Sequence, residues 1–350
     1  AEKATLVYNP NGTTTVTDSA GTAGTGTART YGYQNLQGVL KATSVSGGAC
    51  NACGGSTSAF SYDTNGNVAS TTDFNGNLTC YAYDLARNLE NVRLEGIAPG
   101  GACPANLLTY TPAANSTERK ITTSWHTTYR LPTQIDEPGR RTAYAYFANG
   151  TLQTKTVTDT LLSNSRAWNY TYDANGQLKS VDGPRLATDV LDTTTFDYYT
   201  TASANNAVGD LWKVTNALNQ VTTFTQYDKH GRALSLTDPN GLVTTLSYDA
   251  LGRLKTRTTG GNTTSIDYNA NGLLKKITLP DLSNYNYAYD AAQRLSSITD
   301  NLGNKVEFTL DKLGNSTQQI TKNSDNTVAK SQTAVYDALN RLQQTLGAQG

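Results

Sequence analysis

Tyr227-Asp228-Lys229-His230-Gly231-Arg232-Ala233-Leu234 and, one step further on, Tyr248-Asp249-Ala250-Leu251-Gly252-Arg253-Leu254 decide how this chain folds. In each, an aromatic residue precedes an acid, a glycine follows three places later, and a basic and an apolar residue come close behind. An acid at the first position of a four-residue bend accepts a backbone N–H, and glycine at the fourth enters positive φ without a Cβ clash. Each segment therefore predicts a chain reversal between two strands. The pair recurs at Tyr62-Asp63, Tyr83-Asp84, Tyr172-Asp173, Tyr289-Asp290 and Tyr336-Asp337, with variants at Tyr8-Asn9, Tyr33-Gln34, Tyr268-Asn269 and Leu310-Asp311. From residue 227 to residue 310 the steps are 21, 20, 21 and 21. The glycine is present at Gly66, Gly176, Gly231, Gly252, Gly272 and Gly314.

A second bend falls about ten residues after the first, from Asp73 to Gly76, Asp238 to Gly241 and Asp300 to Gly303. One period thus holds two turns and two strands of about six residues, a common strand length. The intervening pattern alternates. Leu242, Thr244, Leu246 and Tyr248 share one face against Val243, Thr245 and Ser247, and Arg253, Lys255 and Arg257 alternate with Leu254, Thr256 and Thr258. That period of two is a strand signal, with a mildly apolar face and a wet one. Tyr248, Leu254 and Tyr268 are predicted to pack as a stripe across neighbouring strands.

Composition agrees. The 350 residues are 37% hydrophobic, too few for a large core, and include 22 Asp against 6 Glu, 56 Thr, 30 Gly, and 21 Tyr against 6 Phe. These are strand and turn preferences, and they exclude a mostly helical fold. Lys plus Arg equals Asp plus Glu at 28 each, so nothing in the charge calls for nucleic acid or an acidic membrane surface. No run of about 18 apolar residues predicts a membrane span. The sequence opens at Ala1, has no Met, and shows no basic-then-apolar leader, which reads as a piece of something longer.

Roughly 30 short strands at about 4.8 Å spacing would make a flat ribbon about 140 Å long, far beyond the usual open sheet. Such a ribbon curls. The expected fold class is all-β: antiparallel β-hairpin repeats wound into a spiral sheet or hollow shell, with polar residues on both faces suiting a wet interior. One repeat region is expected to span residues 1–350, irregular over 1–61 and 97–170 and regular over 227–342. Degraded copies fall near Tyr129 and Tyr146.

The Tyr-Asp-x-x-Gly-Arg segments, with Leu one or two residues on and each followed by a Thr-rich strand, resemble RHS/YD repeats. The resemblance is clearest from Tyr227 to Leu342, good from Tyr62 to Arg87 and around Tyr172, and weakest from Ile97 to Leu131. It implies a spiral β-sheet shell. Bacterial Rhs and insecticidal toxin-complex proteins of this kind enclose a C-terminal toxic domain, and the related teneurins use a similar shell for adhesion. Family shells that process cargo end in an aspartate-based autoproteolytic site. Asp238-Pro239-Asn240-Gly241 resembles part of that signature but lies inside a regular repeat, so it reads as a turn.

Catalytic residues are not assigned. Asp228 with Asp249 is a conceivable carboxylate pair for glycoside cleavage, but turn geometry accounts for each separately. His126 and His230 are the only histidines, which starves a nucleophilic triad of its base. Cys50-Asn51-Ala52-Cys53 is a CxxC in a Gly-rich loop, and with Cys80 and Cys103 it is open to disulfide pairing, to free thiols, to a four-thiolate metal site or to redox activity. Gly54-Gly55 and Gly260-Gly261 lack the strand-to-helix context of a phosphate loop. No cofactor or metal is assigned.

The expected function is structural: a wall segment of a secreted or cell-surface protein, its partner a toxin or effector domain of the same longer chain. The alternative is an extracellular adhesion or carbohydrate-binding scaffold, with Tyr faces meeting cell-surface glycans and the terminal strands meeting other copies of the chain.

Overall fold

The structure is a computed structural model that describes residues 4–18, 27–46, 57–185, 192–337 and 340–349. Twenty-eight strands and no helix are found there. The all-β class and its antiparallel hairpins are as the sequence predicts: every strand whose register is described pairs antiparallel with a strand next to it in sequence. The contacts divide the chain into two compact units, residues 1–123 with 285–350, and residues 124–284.

In the second unit the regular repeats set the pattern. Val221–Tyr227, Ala233–Thr237, Val243–Tyr248, Leu254–Thr259, Asn262–Tyr268 and Leu274–Thr278 follow one another as a meander. A bulge falls at the closing tyrosine of the longer strands, between Ser247 and Tyr248 and between Asp267 and Tyr268. There Tyr248 pairs with Leu254 and Tyr268 with Leu274. This is the geometry of a type I bend followed by a left-handed glycine, which forces one strand to carry an extra residue.

Side chains on these strands are mostly half-buried. No apolar side chain is fully buried among the described residues of the second unit, where only Thr142 and Thr244 are. The faces are held instead by hydroxyl pairs across strands: Ser247 with Thr256 at 2.6 Å, Thr244 with Thr259 at 2.9 Å, Thr171 with Ser180 at 2.6 Å. Cross-strand pairs of this kind contribute about 0.2–1 kcal/mol each, and their number gives the abundant threonine its purpose.

The first unit is different in one place. Cys80, Val92, Leu94, Ile97 and Leu107 form a buried apolar cluster. The strand Leu89–Ile97 supplies three of them, and Leu107 comes from the long connection that leads to the strand Arg119–Trp125. The region where the period fails thus covers the fold's apolar core. A segment laid over one face of a sheet removes water from it, which the bare repeats cannot do alone.

Candidate functional site

Most predicted turns are built around their acid, but Tyr33-Gln34 lies within the strand Thr27–Leu36 and the chain reverses at Gln37-Gly38 instead. Asp228 Oδ1 accepts the N–H groups of His230 at 2.8 Å and Arg232 at 3.0 Å, while Oδ2 accepts Arg232 Nε at 2.6 Å. The backbone closes beneath it: Gly231 N donates to Asp228 O at 3.0 Å and Asp228 N to Arg232 O at 2.9 Å. Asp249 repeats this with Leu251 and Arg253 at 2.9 Å each and Arg253 Nε at 2.7 Å. Asp290 does so with Ala292 and Arg294, and Asp337 pairs with Arg341. At Asp63 the arginine is replaced by Asn67, whose Nδ2 donates at 2.9 Å. Asp173 accepts from Asn175 and Gln177, and Asp84 from Ala86.

The guanidinium and the turn's N–H groups hold the Asp228 carboxyl down at about 2, from an ordinary 3.8, and Asp249 is lowered by the same contacts with Arg253. Both oxygens of each acid serve its own turn. The pair therefore has the chemistry of two structural anchors, not of an acid and a base sharing a substrate.

The arginine does more than hold its own aspartate. Arg232 lies over the Tyr248 ring at 4.7 Å and Arg253 over Tyr268 at 4.2 Å, distances at which a cation meets the ring face favourably. A Cβ built on Gly252 would stand 2.7 Å from Arg232 Nη1. Gly252 is required by its φ of 82°, and the mobile tip of the preceding turn's arginine lies against it.

The tyrosines carry a second stitch. Tyr248 OH donates to Ala233 O at 3.0 Å and Tyr268 OH to Leu254 O at 3.0 Å. Tyr227 reaches Leu211 O at 2.6 Å, Tyr198 reaches Leu178 O at 2.8 Å, and Tyr146 reaches Pro132 O at 2.7 Å. In the first unit, Tyr62 reaches Ala42 O and Tyr336 reaches Ser316 O. Each acceptor but Ala42, which lies inside the strand Val39–Ser46, opens a strand of the preceding repeat, so the hydroxyl ties one period to the last. Burial, followed by the Asp210 and Tyr199 charges, pushes Tyr227 up to about 12; burial, then Glu90, does the same to Tyr83. Burial also raises Tyr172 and Tyr289. The expected stripe exists, but phenylalanine could not make it. The signal was the excess of Tyr over Phe.

Other candidates resolve individually. His230 is exposed at its turn. His126 stands where a repeat has its acid: its N donates to Leu131 O, and Nδ1 accepts the N–H groups of Thr128 and Tyr129 at 3.1 Å. The degraded copy near Tyr129 is thus centred on Trp125-His126, with an imidazole doing the work of a carboxylate. At Tyr146, Phe147 takes the acid's place and Gly150 keeps the glycine. Asp238-Pro239-Asn240-Gly241 closes an ordinary turn, with Gly241 N to Asp238 O at 3.0 Å.

Cys80 and Cys103 are joined in a disulfide, their Cα atoms 5.7 Å apart. Neither is therefore a thiolate for a four-cysteine metal site. Cys50 and Cys53 lie outside the described residues. Among the described residues no cluster of three or more His, Cys, Asp or Glu is placed to hold a metal, and no helix is long and apolar enough to cross a membrane.

The fold and its stitched turns define a class, an antiparallel β-hairpin repeat protein. The RHS repeat family model matches residues 227–265, 268–305 and 289–327, so the chain carries RHS repeats. Among solved structures, TcdB2-TccC3 is similar over 98% of this chain and 20% of its own, at 17% identity and a TM-score of 0.50. TcdB2-TccC3-Cdc42 is similar over 98% and 19%, at 16% identity and a TM-score of 0.50. At that identity the likeness is one of fold, and the chain spans about a fifth of the chains it matches. No curated protein matches it.

Proposed function

We propose that this chain is a wall segment of a secreted or cell-surface RHS-repeat protein, and that the wall encloses a toxin or effector domain of the same longer chain. The observation that supports it most is the double stitch: Tyr hydroxyl to the preceding repeat and Arg onto the following turn. The closing tyrosines and turn arginines join repeat to repeat, and Asp228 and Asp249 are occupied in bends. A molecule so built acts through its surface and continuity. It has no chemistry of its own in this reading. The Cys80–Cys103 bond is consistent with an oxidising location.

The test is protection of the enclosed domain. In the full-length protein, that domain should resist protease under conditions that digest it when expressed alone, and opening the wall with urea should restore digestion. Equal digestion in both settings would overturn the reading.

The adhesion reading draws on one feature. Trp212, 38% exposed, tilts against Tyr199 at 5.9 Å and carries Lys213 Nζ over its ring at 3.8 Å, and the surface left uncovered is where a sugar ring would stack. Binding on a glycan array that is lost in Trp212→Ala would support it; an array without signal would remove it.

A further inference from the structure

The long connection between Leu89–Ile97 and Arg119–Trp125 is tied down along its length. Leu107 sits in the apolar cluster, Lys120 Nζ donates to Leu108 O at 2.8 Å and Tyr110 O at 2.7 Å, and Thr117 Oγ1 donates to Gly96 O at 2.9 Å. Its covalent tie is Cys103 to Cys80. The two halves of that bond face different surroundings. Cys80 is wholly buried, at 0% exposure, among Val92, Leu94, Ile97 and Leu107. Cys103 is exposed and lines an open groove of about 540 Å³, whose other walls include Ser61, Ser70, Tyr81 and Asn106. None of the side chains lining the groove is Asp, Glu, Lys or Arg.

We propose that this disulfide is a one-sided latch: a small neutral thiol enters the groove and exchanges only at Cys103, and breaking the bond frees residues 98–105 from the sheet, while Leu107 and Leu108 stay held by the apolar cluster and Lys120. The attacking thiolate forms a bond to Cys103 Sγ. The Sγ–Sγ bond breaks, and its electron pair leaves on Cys80 as thiolate. A second thiol, attacking the added sulfur, releases Cys103 as thiolate and departs with the first as their disulfide, so two thiols supply the two electrons. Attack at Cys80 is closed by burial. Attack at Cys103 is open but expels the Cys80 thiolate into apolar surroundings that solvate a charge poorly, so it leaves slowly. The latch therefore resists casual reduction and, when it yields, yields from one side. The inference stands whether or not the wall encloses a cargo.

The experiment treats the native protein with 2-mercaptoethanol, quenches in acid and maps it by mass spectrometry after digestion with trypsin and chymotrypsin. Cleavage after Phe60, Tyr62 or Phe74 separates Cys80 from Cys50 and Cys53. The expected result is a mercaptoethanol adduct on Cys103 and a bare thiol on Cys80. Hydrogen exchange over residues 98–105 should then rise on the order of a few hundredfold, the size expected for opening the loop that the bond closes across a sequence separation of 23, with residues 124–284 unchanged. An adduct on Cys80, adducts divided between both cysteines, a bond that stays intact, or unaltered exchange over 98–105 after the bond is broken would each overturn the proposal.

Discussion

Asp228 shows how little freedom a turn residue keeps: one oxygen takes two backbone N–H groups, the other an arginine. Its folded value, about 2 against 3.8, is depressed, so its contribution to stability is present above about pH 4 and is lost as pH falls toward 2. Tyr227 runs the other way. Its value, raised to about 12 from 10.0, gives stability that is complete below pH 10 and lost between 10 and 12 as the unfolded phenol ionises first. Urea midpoints across pH should therefore fall at both ends, and Asp228→Asn should flatten the acid limb. Leu282 is a different case, a leucine at φ 68° in the position glycine takes elsewhere. A non-glycine residue pays roughly 1–2 kcal/mol there. Leu282→Gly should raise the unfolding midpoint by an amount near the low end of that range, because glycine also loses more chain entropy. Unchanged or lower stability would show that the leucine has a compensating contact.

The unit of assembly is the hairpin with its two ties. Tyr248→Phe keeps the ring beneath Arg232 and removes only the bond to Ala233 O, so it should cost about 1 kcal/mol in urea denaturation. Arg253→Lys should cost more than its charge suggests, because lysine cannot grip Asp249 and lie flat on Tyr268 together. A double-mutant cycle of Arg253→Lys with Tyr268→Leu measures the shared part. The bends and strands were legible in the sequence because local rules write them: acid and glycine at fixed spacing, polar and apolar in alternation. The arginine's reach to the next turn was not, since Gly231-Arg232 and Gly252-Arg253 reveal spacing but not which neighbour a long side chain finds. His126 escaped for a related reason. An imidazole nitrogen accepts N–H groups as a carboxylate does, yet no turn rule names it. The apolar cluster under Leu107 was also hidden, because it depends on a connection with no period of its own.

Across the molecule, order is propagated from neighbour to neighbour and not from one shared core. Outside the cluster around Leu94, each strand leans on the two beside it. Stability in such an arrangement sums repeat by repeat. Tyr248→Phe should therefore speed hydrogen exchange in the strands from 211 to 268 and leave residues 57–123 at their original rates; acceleration of both would mean that the two units unfold together. The same locality governs length. Between Tyr198 and Leu211 the five-residue bend is replaced by a longer excursion, yet Tyr199 N still meets Asp210 O at 2.8 Å and Tyr198 OH still reaches Leu178. The ladder closes at the mouth of the loop, and the loop returns to it once, where Asn205 O accepts the N–H of Tyr227 at 2.8 Å. Such an excursion is accordingly a port: foreign residues spliced at the exposed Ala202, ahead of the Ser203–Asn206 turn, would be displayed to solvent while the weave behind them keeps its register, which makes the fold a natural carrier for recognition segments.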